Sequence, residues 1–244
     1  VTFVSFLVAA AFGLLAGSVI WTLADKRIRA TVPNLRAICL NCGASKSWRS
    51  WLPFAWAGET AVCPSCGDSD ASTRRVWEVG IALWFGVAWT TATPPLLPVL
   101  LGALPLLLIL AVDLKVQAVF LTDCYVAVVA GLILGLSYST SQAAGAALGM
   151  GLAMAVCALF LVISRWIFRS IGIRTTPIGL SDVYIAAAVG AIVRFDGLLP
   201  ALVAGTAGAL LYWTVAPVVR PSLRTRTAAL GPFLCLGGLV SLIL

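Results

Sequence analysis

The sequence predicts an all-α polytopic membrane protein of about eight transmembrane helices, and three observations carry that prediction. Of its 244 residues 61% are hydrophobic and only 10% are charged, against roughly 45–50% apolar and about 25% charged in a soluble domain. Apolar runs suited to crossing about 30 Å of hydrocarbon recur near 1–23, 76–93, 95–112, 124–140, 143–163, 183–195, 197–217 and 228–244. The basic residues, finally, collect in alternate loops, as they do when positive loops stay on the cytoplasmic side.

Taken in order, the first run has no basic residue ahead of it, and its apolar length exceeds the roughly 7–15 residues of a secretion signal's core. Asp25, Lys26, Arg27 and Arg29 follow it directly, so it reads as a retained span with the N-terminus outside. The second to fifth runs are spans of ordinary length. The sixth, 183–195, is short and predicts a stub, a tilted helix or a packed half-span. The seventh and eighth close the chain. Placing 24–75, 113–123, 164–182 and 218–227 inside collects fifteen of the sixteen Lys and Arg residues and leaves only Arg194 outside. Orientation thus explains the +7 net charge, and no nucleic-acid partner is expected. The partner implied by composition is the lipid bilayer.

Three regions follow from this organisation: a first transmembrane helix at 1–24, a polar cytoplasmic insert at 25–75 and a transmembrane bundle at 76–244. The insert holds "CLNC" (Cys39, Cys42) and "CPSC" (Cys63, Cys66). Each Cys-x-x-Cys pair forms a tight knuckle that directs two thiolates at one cation, and two knuckles complete a four-cysteine zinc site. Gly43 and Gly67, each directly after the second cysteine, suit the turn a knuckle needs. Disulfides or unmetallated thiols are the alternatives, and structural disulfides are rare in a reducing cytoplasm. Four thiolates leave no open coordination position, so the zinc would be structural, supplying folding energy to an insert with little core. Trp48, Trp51 and Trp56 suit either the membrane interface or packing within the insert. Cys124, Cys157 and Cys235 fall in separate spans and read as small hydrophobes.

Histidine is absent, which removes Ser-His-Asp and Cys-His catalysis, the His-Glu-x-x-His metalloprotease site and mixed cysteine-histidine fingers. Hydrolytic chemistry would have to rest on carboxylates. Asp113 follows an apolar run directly, and Asp182 opens the short sixth one. A carboxylate at the hydrocarbon edge is costly and usually faces a wet cavity, and both residues fall at the cytoplasmic face. If they meet, repulsion and desolvation leave one proton shared between them, one carboxylate acting as base and the other as acid. The competing expectation is that Asp182 caps its helix and Asp113 pairs with Lys115.

Several stretches together resemble the type IV prepilin peptidases, membrane aspartyl proteases with a Gly-x-Gly-Asp-type motif. "GLLAGSVIWTL" from Gly13 is similar to the family's opening Gly-Ser-Phe motif, and the paired cysteines to its cytoplasmic insert. "RRVWE" ending at Glu78 resembles the Tyr-Pro-x-x-Glu stretch. "DLK" at Asp113 and "GLSD" ending at Asp182 fall where the family has its two catalytic aspartates, and "GPFLCLGGLVSLI" from Gly231 is similar to its closing segment. The resemblance implies cleavage of a short basic leader from prepilins or pseudopilins at the cytoplasmic face of a bacterial inner membrane, in a shallow polar cavity holding Asp113 and Asp182. It also implies N-methylation of the product with S-adenosylmethionine in many members.

The chain departs from the family pattern in five places. Ser181 replaces the second motif glycine, Tyr184 stands where lysine is usual, and Trp21 replaces an asparagine. Thr122-Asp123 replaces an earlier Pro-Asp or Pro-Asn, and no Arg-x-Pro is recognisable in "ADKRIRA". These departures bear most on the methyl transfer. Two other classes remain: a catalytically silent, zinc-stapled scaffold that binds pilins or secretion components, and a proton-coupled transporter using the aspartates as a relay. The transporter predicts mid-membrane carboxylates and paired halves, which the sequence lacks.

Overall fold

The computed structural model describes residues 3–28, 39, 41–44, 52–54, 62–63, 65–67, 71–91, 96–170, 178–219 and 230–244. Among these residues there are seven helices: α1 (Phe3–Ile28), α2 (Ala71–Thr91), α3 (Leu96–Val116), α4 (Leu121–Tyr138), α5 (Thr140–Ser170), α6 (Leu180–Val219) and α7 (Gly231–Ser241). The chain divides into two compact units, Val1–Leu96 and Leu97–Leu244. The insert therefore belongs with α1 and α2.

In the first unit α1 and α2 form an antiparallel pair, because glycines let the backbones approach. A β-carbon on Gly13 would fall 2.8 Å from the Cα of Ala82, Gly17 faces Ile81 and Glu78, and the Phe6 ring lies over Gly86. α1 runs on through Ile28, so Lys26 and Arg27 ride on its last turn, where cations suit the helix dipole.

The second unit is built around the first half of α6. From Asp182 to Val193 every residue except Tyr184 is buried, so this helix is apolar all round because it is a core helix. α6 breaks at Arg194, whose backbone is non-helical (φ 62, ψ −176). Its two halves run antiparallel, as their contacts with α7 require. Gly231 and Gly238 of α7 meet Ile185 and Val189 of the first half in ascending order, whereas Phe233 meets Gly205 and Gly237 meets Ala201 of the second half in descending order. Ser241 Oγ then donates to the Gly197 carbonyl at 2.6 Å, near the turn. The sixth and seventh apolar runs are thus the arms of one hairpin.

The eight expected runs map onto the seven helices, the sixth and seventh being the two arms of α6. Five of these, α1, α3, α4, α5 and α6 with its two arms taken together, are long and apolar enough to cross a membrane by length and composition, the property of a multi-pass membrane protein. α2 falls short because it carries Arg74, Arg75 and Glu78, and α7 has only 11 residues.

Candidate functional site

α3 runs antiparallel to the first half of α6. Gly102 faces Ile192, Leu106 and Val189 both flank Gly238, and Asp113 and Asp182 both flank Gly231. Eleven residues along one helix and ten along the other cover a similar rise at about 1.5 Å each. Two carboxylates sixty-nine positions apart in the sequence therefore arrive at the same end.

α3 ends just beyond Asp113. The Gln117 amide donates to the Asp113 carbonyl at 2.8 Å, and Gln117 adopts φ 51, a left-handed stop of the kind helices use. Asp182 is the third residue of its helix, counting Leu180 as the first. Its Oδ2 accepts the Gly179 amide at 2.7 Å, the reach-back half of a capping box. Both aspartates are only 2% exposed, which corrects the expectation of a shallow open cavity, and the first turn of α7 approaches both at Gly231. A β-carbon built on Gly231 would fall 2.8 Å from Asp113 Oδ2 and 3.2 Å from Asp182 Oδ1. Asp113 Oδ2 has no hydrogen-bond partner among the described residues. Asp182 thus does cap its helix, while its second oxygen and Asp113 Oδ2 face the same point at Gly231. Asp113 Oδ2, for its part, is not paired with Lys115.

Ser181 is exposed and stands in the first helical turn without a positive φ. The chain needs no glycine there, so this departure leaves the local backbone unstrained.

In the insert, the four Sγ atoms of Cys39, Cys42, Cys63 and Cys66 lie within 4.8 Å of one another. Cys39–Cys66 and Cys42–Cys63 stand at 3.7 and 3.5 Å. Zinc–sulfur bonds of about 2.3 Å make a tetrahedron with edges of about 3.8 Å, whereas a disulfide needs about 2.05 Å. The thiols are free and the donor set fits zinc. Gly43 (φ 77) and Gly67 (φ 72) adopt the left-handed turn, and their amides donate to the carbonyls of Cys39 and Cys63 at 2.9 Å. The Ser65 amide above all, against the opposing effect of burial and with help from the Cys66 amide and the Cys42 and Cys66 thiols, pulls the Cys63 thiol from 9.0 to about 6. A metal held there would tie the two knuckles together and contribute to folding. Trp48, Trp51 and Trp56 lie outside the described residues.

The chain matches no family model, no curated protein and no solved structure.

Two features that the sequence offered only inside family-like stretches acquire a place in the fold. One is Gly231, which heads the "GPFLCLGGLVSLI" segment and with Pro232 makes a favoured helix start. The other is a buried polar network in the first unit. Arg74 donates through Nε to Glu78 Oε1 at 2.7 Å, and through Nη2 to Ser18 Oγ at 2.6 Å and the Leu52 carbonyl at 3.1 Å. Glu78 Oε2 accepts the Phe54 amide at 2.8 Å, and Trp77 Nε1 donates to the Gly17 carbonyl at 2.8 Å. Residues 52–54 of the insert are thereby fastened to α1 and α2. A third carboxylate, Asp123, is buried in the first turn of α4. It lies near the dyad's end of the unit, since Cys124 is within electrostatic reach of both Asp123 and Asp113.

Proposed function

We propose that this chain is a membrane aspartyl endopeptidase that removes the short basic leader of a prepilin or pseudopilin at the cytoplasmic face of a bacterial inner membrane. The observation that carries the reading is the convergence of Asp113 Oδ2 and Asp182 Oδ1 on one backbone point at Gly231. Two buried carboxylates are expensive to bring together in an apolar bundle, and general acid–base hydrolysis is a use that needs both. The resemblance of the motifs around them to prepilin peptidases supplies the substrate class.

The mechanism needs no metal. One carboxylate takes a proton from a water shared by the pair, and the water oxygen bonds to the scissile carbonyl carbon. The other carboxyl gives its proton to the carbonyl oxygen. As the tetrahedral species collapses, the C–N bond breaks and a proton passes to the leaving nitrogen. The cysteine cluster takes no part in these steps; zinc there is structural.

The test is cleavage of a co-reconstituted prepilin, with Asp113→Asn and Asp182→Asn beside the wild type and products weighed by mass spectrometry. Cutting by wild type alone, with both variants folded, supports the dyad. The same spectrum reads the methylation that the resemblance implies, as one added methyl group when S-adenosylmethionine is supplied. A folded, zinc-loaded wild type that cuts nothing leaves the silent scaffold as the better reading.

A further inference from the structure

α7 meets the two aspartates without a side chain of its own. Gly231 and Pro232 open the helix; Pro232 has no amide proton and the Phe233 and Leu234 amides donate to the Leu230 carbonyl, so the Gly231 amide is the one left to serve another group. The Gly231 amide approaches the Asp182 carboxylate. A β-carbon on Gly231 would meet Ile185 Cδ1 at 2.5 Å, Asp113 Oδ2 at 2.8 Å and Asp182 Oδ1 at 3.2 Å. Two other glycines of this unit serve helix packing. Gly131 abuts the backbone of Ala191, and Gly205 that of Phe233. At Gly231 two of the three contacts are instead the paired carboxylate oxygens, one of them buried without a partner among the described residues.

Resting on the peptidase reading, we propose that Gly231 is a positioning residue of the dyad: its missing side chain lets both carboxylates reach one water. A methyl group at 231 would stand between the two oxygens and displace that water. Hydrogen bonds from one water to two carboxylates require distances of about 2.5–3.0 Å. The carboxylates would have to part to admit the methyl group.

The experiment compares Gly231→Ala, Ile185→Val, the double variant and Gly151→Ala, a control position where a β-carbon meets nothing within 4 Å. Each is reconstituted with a prepilin and read for thermal midpoint, kcat, KM and modification of Asp113 by dicyclohexylcarbodiimide, located by mass spectrometry. Gly231→Ala is expected to lower kcat about 100-fold, the scale of an ångström-sized misplacement, with KM unchanged. Ile185→Val removes the methyl group nearest the new β-carbon. In the double variant it should therefore restore the thermal midpoint but not kcat, because the approach to the oxygens persists. Asp113 modification should be lost in Gly231→Ala and kept in Gly151→Ala. Return of cleavage in the double variant would mean that the glycine only makes room for Ile185, and the proposal would be overturned. Equal Asp113 modification in wild type and Gly231→Ala, present in both or absent from both, would overturn it too. Should the wild type cut no prepilin, the peptidase reading fails separately, and the carbodiimide measurement, which needs no substrate, still decides whether a side chain at 231 closes over Asp113.

Discussion

Arg74 is 4% exposed and serves three segments at once. A planar fork of five donors does this and a lysine does not, because an ammonium offers a point charge without the fork. Glu78 beside it is fully buried. Arg74→Ala is thus expected to destabilise the first unit by about 3–5 kcal/mol, the scale of stranding one partner of a buried pair. Arg74→Lys should recover only part of that, both read as thermal midpoints of the purified protein. The two aspartates should separate in the same assay. Asp182→Ala removes the acceptor of the Gly179 amide and is expected to cost about 0.5–2 kcal/mol, as other lost N-terminal caps do. Asp113→Ala removes a carboxylate whose Oδ2 is buried without a partner among the described residues, so stability should hold or rise while cleavage is lost. Equal destabilisation by both would contradict this asymmetry.

The cysteine knuckles and the glycine-lined helix contacts act as whole elements. The Cys63 thiol is lowered from 9.0 to about 6 in the fold, so folding favours the thiolate. That contribution is complete above pH 9, persists in part at neutral pH and is lost as pH falls through about 6. Protons then compete with metal for the knuckle. Zinc release, followed with a chromogenic chelator, is expected to rise steeply between pH 7 and 5. A flat profile would mean that the Ser65 and Cys66 amides do not tune the site. Among the helices, a β-carbon at Gly131 would strike the Ala191 backbone at 2.7 Å, while one at Gly151 meets nothing within 4 Å. Gly131→Val should therefore force α4 from α6 and lower the thermal midpoint by several degrees, and Gly151→Val should leave it unchanged.

At the scale of the whole molecule, α5 spans 31 residues, about 46 Å at 1.5 Å per residue, more than the roughly 30 Å of hydrocarbon. Arg194 donates to Gln142 Oε1 at 2.6 Å near the first turn of α5. Cys157, further along that helix, lies within electrostatic reach of Asp182. On the proposed orientation, which puts the aspartates at the cytoplasmic face, an impermeant maleimide on intact cells should label Ser141→Cys and spare Ser170→Cys; the reverse pattern would invert that orientation. The sequence by itself determined the helical class, the apolar runs, the cysteine quartet and the two unusual aspartates, because each depends on composition or on spacing within a few residues. Hydropathy could not tell a lipid-facing span from the enclosed first half of α6, since both are apolar. It also could not show that Arg194 turns the sixth and seventh runs into one hairpin, or that Arg74 and Glu78 bind the insert to α1 and α2. Above all, the tertiary structure alone decided that Asp113, Asp182 and Gly231 share one point. Three residues on three helices are brought together by the antiparallel run of α3 beside α6 and by the docking of α7 on both halves of that hairpin. Such pairings arise from contacts between distant segments, which no local pattern records.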